Sequence, residues 1–350
     1  KRIRARWADV DVVMCSGVDA SQTGLTMQAL SLGALDFIAK PQGDNPAESF
    51  ASLSASLHPL LDLALSRKRS RLLREAVAKP APLAPFEPPP SSRPAFRSRL
   101  EPPAREPALP SSPAPVPAPE SRPQGGLPPL PPARQPSRPA NVATPSSGPQ
   151  RHPPARIEYL LVGVSTGGPN ALQTLVPRLP ADLPFPILCV QHMPPLFTAS
   201  LAERLDRASS LKVVEGAEGT RPENGVMYIA PGGRHMVLSR GADGRPCLRL
   251  NDASPVNSCR PSVDVLFRSV ADAAGGDVVT LVLTGMGADG ADGATTLRAK
   301  GAWSIVQDEA SSVVWGMPGA VVQAGQADEI LPLERIAERV AEIARRGRTR

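Results

Sequence analysis

The chain has 350 residues, room for two domains, and 41% of them are hydrophobic while only 3% are aromatic, so any core must be aliphatic. Lys and Arg exceed Asp and Glu by 39 − 33 = 6, but the arginines are scattered and no basic run is interleaved with aromatics, which argues against a nucleic-acid partner. Cys15, Cys189, Cys247 and Cys259 lack C-x-x-C spacing and there are four histidines, no apolar run reaches membrane-spanning length, and the first residues have no signal-peptide layout. A zinc site, membrane insertion and secretion are therefore disfavoured, and a soluble protein of the reducing cytoplasm is expected. The chain begins with Lys rather than Met, as a fragment or a misassigned start would.

In chain order, Val10–Ser16 reads as a short buried strand ending in a hydroxyl. A helical stretch with Met27, Ala29, Leu30 and Leu32 precedes Gly33. Ala34–Pro41 is a second strand ending in Lys-Pro, and an amphipathic helix runs from about Ser49 to Leu73. This arrangement resembles the C-terminal part of a response-regulator receiver domain. The resemblance makes Ser16 the switch hydroxyl and Lys40 the phosphate-contacting lysine. It also puts the acidic pair and the phospho-accepting Asp upstream of the Ser16 strand, where the chain offers only Asp9 and Asp11. Both sit at the mouth of that strand, so neither is assigned as phosphoacceptor. Residues 1–76 are expected to be a partial receiver that is not phosphorylated normally and that exposes its strands.

Residues 80–154 hold 26 of the 43 prolines, with Ala, Ser and Arg between them. Prolines remove backbone donors, and too few large apolar residues are present to offset the cost of ordering. Residues 77–155 are thus expected to be a disordered or polyproline-like tether. The PxxP matches within it follow from composition alone.

From residue 156 onward strand-like and helix-like stretches alternate. The run Ile157–Val164 fits a buried parallel strand. It stops at Ser165-Thr-Gly-Gly-Pro169, and Ala171, Leu172, Leu175 and Val176 then repeat at helical spacing. Ser165 is thereby placed on a strand-to-helix turn, and Gly163–Gly167 fits the G-x-S-x-G nucleophile elbow. A turn whose serine merely caps the helix fits as well. A phosphate-cradling loop fits poorly, because Ser165 stands where its second glycine belongs. Phe185–Gln191 is a second apolar run and ends in His192; a helix comes next over about Leu196–Ala208. Lys212–Glu215, Val226–Ala230 and His235–Leu238 look like short strands, with Pro231–Gly233 a turn between the last two. Pro261 opens a helix bearing Val263, Leu266, Phe267 and Val270. Val278–Thr284 is the clearest buried strand and leads into Gly285-Met-Gly-Ala-Asp-Gly290 and another helix. Trp303–Val306, Asp328–Leu333 and a closing helix over Ile336–Ile343 complete the pattern.

This alternation predicts an α/β fold: a doubly wound, mostly parallel sheet with helices on both faces. Such sheets place their chemistry at the carboxyl ends of strands. Three predicted strands end there in Ser165, His192 and Asp289. A serine needs an imidazole to take its proton and a carboxylate to orient that imidazole. Asp292 is a rival acid but falls inside the next helix, and the Asp289–Asp292 spacing is too poor in ligands for an EF-hand. The order Ser, His, Asp is not that of an α/β-hydrolase.

The motifs Gly163–Pro169, Gln191–Pro194, Ile229–Gly232, Arg260–Phe267, Leu283–Gly290 and Gly316–Gly319 resemble, in order, the catalytic domain of chemotaxis protein-glutamate methylesterases, the CheB family. The string Ala29–Pro41 is similar to the receivers attached to those enzymes. The resemblance implies a domain over residues 156–348 with the triad Ser165, His192 and Asp289, and an oxyanion site from backbone N–H groups near Thr166 and Met286. It implies hydrolysis of glutamate γ-methyl esters on methyl-accepting chemoreceptors with release of methanol, deamidation of receptor glutamines, and no metal or organic cofactor. It implies a chemotaxis histidine kinase as partner where a full receiver exists. His235 matches a family position near the cleft, and a structural role in the hairpin is the alternative. A fold-only adaptor and an unspecific ester hydrolase remain as other classes. A long flexible tether lowers the effective concentration of a covering domain, so deletion of residues 1–155 is expected to leave demethylation almost unchanged.

Overall fold

The computed structural model describes residues 3, 6, 7, 10–17, 19–41, 45–78 and 151–348. Two compact units divide the chain: residues 1–76 with 150–350, and residues 77–149. The proline-rich stretch 79–150, and with it the tether reading, lies outside the described residues, as does Asp9.

The central element is a seven-stranded, all-parallel sheet. Its strands are β3 (Tyr159–Val164), β4 (Ile187–Gln191), β5 (Lys212–Glu215), β6 (Val226–Ile229), β9 (Val278–Val282), β10 (Trp303–Gln307) and β11 (Glu329–Leu331), in the order β11-β10-β9-β3-β4-β6-β5. Strands β3, β4, β9 and β10 are buried along their whole length, as parallel strands covered on both faces must be. The chain leaves β3 first toward β4 and returns to its other side with β9. The direction of winding therefore reverses at β3, where open sheets form their crevice. Register puts Val164 beside Gln191 and Gly163 beside Val282, so Ser165, His192 and the loop after β9 emerge at one edge.

Helices α3 (Gly168–Leu175), α4 (Phe197–Ala208) and α8 (Leu333–Arg348) cover one face. Leu172, Leu175, Leu201, Leu205, Ile336 and Val340 pack there. On the opposite face lie α5 (Val263–Ala273), α6 (Ala291–Ala299), α7 (Gly316–Gln323) and an antiparallel hairpin of β7 (His235–Arg240) with β8 (Pro246–Asn251). Leu266, Phe267, Leu297 and Val321 pack against Met236 and Leu248 of the hairpin. Both cores are dominated by aliphatic side chains, as the scarcity of aromatics required.

Three readings are corrected, and one helix is added that the sequence reading did not assign. The Pro231–Gly233 turn does not join two paired strands, because β6 lies in the main sheet and β7 pairs with β8, a strand whose alternation is too weak to read. Pro261 does not open α5: it comes after a cis Arg260–Pro261 bond, and Ser262 is the N-cap, accepting from the Val265 amide. The segment Gly316–Gln323 is a helix, although Gly and Pro obscure its pattern. Helix α8 begins at Leu333 and extends to Arg348.

The N-terminal segment holds the parallel pair β1 (Val13–Ser16) and β2 (Asp36–Ala39), with α1 (Ala20–Ser31) between them and α2 (Pro46–Ala78) after them. Asp19 caps α1 by accepting from the Gln22 amide at 2.9 Å. Met27 and Leu30 of α1 are buried in the same core as α3 and α4. Asn170 of α3 donates to the Ala34 carbonyl at 3.2 Å, and Phe37 stacks on Phe197 with centroids 4.4 Å apart.

Candidate active site

The turn after β3 is held by backbone and by one amide side chain. The Ser165 amide donates to the Thr284 carbonyl (3.0 Å), and the His192 amide donates to the Val164 carbonyl (3.1 Å). Gln191 Nε2 donates to the carbonyls of Ser165 (3.0 Å) and His192 (3.2 Å), tying the ends of β3 and β4 together. Gly167 has φ +77°, and a Cβ there would meet Val313 at 2.6 Å, so no other residue fits without movement. From the β9 side, a Cβ on Gly285 would collide with Met317 Sδ and come within 2.9 Å of Ser165 Cβ. The glycine thus lets the β9 loop lie directly on the serine.

Asp289 is 2% exposed and satisfied on every side. Its Oδ2 lies 2.8 Å from His192 Nε2 and accepts from the Val263 amide at 2.7 Å. Its Oδ1 accepts from Ser262 Oγ (2.8 Å), Asn257 Nδ2 (2.9 Å) and the Asp264 amide (3.2 Å). Two of these donors are first-turn amides of α5, the positive end of that helix. Burial alone would raise the carboxyl pKa, but the hydrogen bond and charge of His192, with the Asn257 and Val263 donors, hold it well below the usual range. Asp264 behind it is pushed up, chiefly by burial. Its Oδ1 accepts from the Gly290 (3.0 Å) and Gly293 (2.7 Å) amides.

For His192, burial disfavours the charged form. The Asp289 hydrogen bond and a contact with Cys259 outweigh that and raise the pKa from 6.5 to about 9. The ring is used at both nitrogens: Nε2 faces Asp289, and Nδ1 lies 3.5 Å from Cys259 Sγ. His192, Cys259 and Asp289 offer donor atoms within 4.8 Å of one another.

Ser165, Thr166, His192, Cys259 and Met286 line one cavity of about 660 Å³, and residues 36–41 with Pro59 and Leu60 line it from the N-terminal segment. Asp36 stands beside Thr166 and Gly167: burial pushes its pKa up to about 6, against the opposing influence of the Phe37 amide, the Thr166 hydroxyl and the Gly167 amide. Residues of the N-terminal segment thus form part of the cavity wall. Packing of Met27, Leu30 and Phe37 against the catalytic core sets where the segment sits, and tether length does not enter.

Of the residues singled out from sequence, Ser165, Thr166, His192 and Met286 meet at the cavity, with Asp289 behind the imidazole. Among the described residues the Ser165 hydroxyl makes no hydrogen bond to the ring, and neither the Thr166 nor the Met286 amide donates to another group. Asp292 is an exposed partner of Arg268 at 3.2 Å and takes no part. His235 is buried outside the cavity; its Nδ1 accepts from the Ser262 amide and its Nε2 lies 3.2 Å from the Ser254 carbonyl, so it braces the loop beneath Asp289. Ser16 is buried and accepts from Thr26 Oγ1 at 2.7 Å, and the Lys40 amide donates to the Ser16 carbonyl, so both stand at one end of the β1–β2 pair.

Sequence reasoning missed Asn257, Cys259, Gln191 and Asp36 as members of the site. Ser262 and Asp264 lay inside a motif already noticed. Asn257 and Cys259 sit in an aperiodic loop that no pattern marks.

Comparison with known proteins gives a consistent picture. The family model described as CheB methylesterase matches residues 160–340. A protein-glutamate methylesterase/protein-glutamine glutaminase of Desulfotalea psychrophila is 36% identical over 94% of this chain and 76% of that protein. One from a group 2 operon of Bradyrhizobium diazoefficiens is 39% identical over 97% and 76%. The crystal structure of the Thermotoga maritima CheB methylesterase catalytic domain is 40% identical, with a TM-score of 0.52, covering 53% of this chain and 98% of that one.

Proposed function

The chain belongs to the CheB methylesterase family, and from that premise we propose how its own residues hydrolyse glutamate γ-methyl esters and deamidate glutamines on chemoreceptors. Ser165 is the nucleophile, His192 the base and Asp289 the orienting carboxylate. The observation that carries this reading is the 2.8 Å contact of Asp289 with Nε2. It commits Nε2 and leaves Nδ1, which contacts Cys259 Sγ at 3.5 Å, as the nitrogen to serve Ser165 in the cavity they line.

In acylation, Nδ1 takes the Ser165 proton as Oγ attacks the ester carbonyl. The C–OCH₃ bond breaks, the imidazolium returns its proton to the leaving methoxide, and methanol departs. Water then attacks the acyl-serine by the same route and frees the glutamate carboxylate. For glutamine, ammonia is the leaving molecule. The Thr166 and Met286 amides are the proposed oxyanion donors, since both line the cavity and neither has another acceptor among the described residues. One such donor is worth roughly 3–4 kcal/mol in a comparable hydrolase. No step here draws on a metal.

Residues 156–348 carry this chemistry, residues 1–76 act as a receiver-like cover, and 77–155 tether the two. A chemotaxis histidine kinase acting on a complete receiver is the partner this arrangement suits. No described helix is long and apolar enough to cross a membrane, and four free cysteines suit the cytoplasm. Methanol release from methylated receptor membranes tests the triad. Ser165→Ala and His192→Ala are expected to lose about 10⁴-fold or more, and Asp289→Asn about 10⁴-fold. Undiminished release by Ser165→Ala refutes the assignment.

A further inference from the structure

The base nitrogen of the site is already occupied, and by sulfur. With Nε2 committed to Asp289, Nδ1 is the nitrogen that must accept the Ser165 proton. Yet its contact in this structure is Cys259 Sγ at 3.5 Å, and the serine hydroxyl makes no hydrogen bond to the ring among the described residues. Cys259 lies two residues after Asn257, which holds both Asp289 and Asp264. It also lines the cavity beside Ser165 and His192. The thiol is therefore carried on the same loop that fixes the acid of the triad.

We propose that Cys259 is a positioning residue that restrains the base: its sulfur covers the Nδ1 face of His192 that the Ser165 hydroxyl must reach, so turnover requires that contact to break. This rests on the triad reading and adds a brake to it. When the imidazole is neutral, the thiol donates to Nδ1 and competes with the serine. When it is protonated, Nδ1–H donates to sulfur, and the protonated ring cannot act as base. Either way the contact withdraws His192 from the nucleophile. The other titratable groups around the ring are Asp289 at Nε2, Asp264 behind Asn257, and Asp36 and Lys40 across the cavity. None of these touches Nδ1.

The test is the pH profile of methanol release by the full chain, paired with NMR titration of the His192 ring, for wild type, Cys259→Ala, Cys259→Val and Cys259→Ser. The two nonpolar variants are expected to move the acid limb of kcat/KM to lower pH. A shift of about one pH unit raises neutral-pH activity about tenfold. The His192 titration should move with it, and Cys259→Ser should return both toward wild type. One folded nonpolar variant suffices. A limb and a ring titration that stay at wild-type positions overturn the proposal, as does an equal loss of rate at every pH. The ring titration does not depend on catalysis. An unmoved titration with an inactive Ser165→Ala therefore removes the brake and leaves the triad, whereas an active Ser165→Ala removes the triad.

Discussion

The Asp36 carboxyl of the N-terminal segment stands beside the hydroxyl of Thr166, the residue immediately after the proposed nucleophile, and the amide of Gly167. A side chain from β2 thus puts at the entrance to the helix the same group, a carboxyl, that the reaction creates on its substrate. Asp36→Ala is expected to raise kcat/KM on methylated receptor severalfold, contrary to what tether length alone suggests. The effect has a pH sign. The docked carboxyl has a pKa of about 6 against an ordinary 3.8, so the docked state binds more protons between those values. Docking is then strongest in acid and weakens as pH rises through about 6. The ratio of variant to wild-type rate, measured from about pH 5 to about pH 8, should fall as pH rises; a flat or rising ratio contradicts the arrangement.

His192 must be neutral to act as base, and its pKa is raised to about 9. The rate should therefore climb steadily through neutral pH and level off only near that value. Stability moves in the opposite sense. The raised His192 pKa contributes stability fully present below 6.5 and lost as pH rises through about 9. The depressed Asp289 pKa contributes stability present above 3.8 and lost as pH falls below it. The Tm gap between wild type and Asp289→Asn should be widest between those two limits, and an equal gap at every pH argues against the ion pair.

Ser262 does two jobs with one hydroxyl: it donates to Asp289 at 2.8 Å and accepts from the Val265 amide as the N-cap of α5. Ser262→Ala loses a hydrogen bond to a buried charge and a cap, together about 2–4 kcal/mol. Denaturant unfolding should show that loss, with a lower kcat as Asp289 becomes less firmly held. Asn257→Ala, which keeps the cap, should cost less.

Gly285→Ala should disable catalysis through geometry rather than chemistry. The added methyl collides with Met317 and crowds Ser165 Cβ, so the serine or the β9 loop must shift. Because a misplacement of about 1 Å can cost 10²-fold, kcat should fall about that much. Adding Met317→Ala, which makes room, should recover part of it; no recovery would point to a different cause.

Much of this protein could be read directly from its residues. The runs Ile157–Val164, Phe185–Gln191 and Val278–Thr284 are apolar without alternation because both faces of their strands are covered, and that alone announced a parallel sheet. Their ends announced Ser165, His192 and Asp289, because parallel strands deliver the residues at their carboxyl ends to one edge of the sheet. Periodicity says nothing of loops that come from elsewhere. Asn257, Cys259 and Ser262 reach Asp289 and His192 only because the chain folds back around α5, and β8 is recognised as a strand only through its pairing with β7. Asp289 was preferred to Asp292 because the latter falls inside a helix, and the side chains part the same way: one lies under the imidazole, the other in solvent beside Arg268. Asp36 is the furthest case, more than a hundred residues from Thr166 along the chain. Its place at the site comes from burial of Met27, Leu30 and Phe37 against the catalytic core, a free energy of packed surfaces that no local pattern encodes.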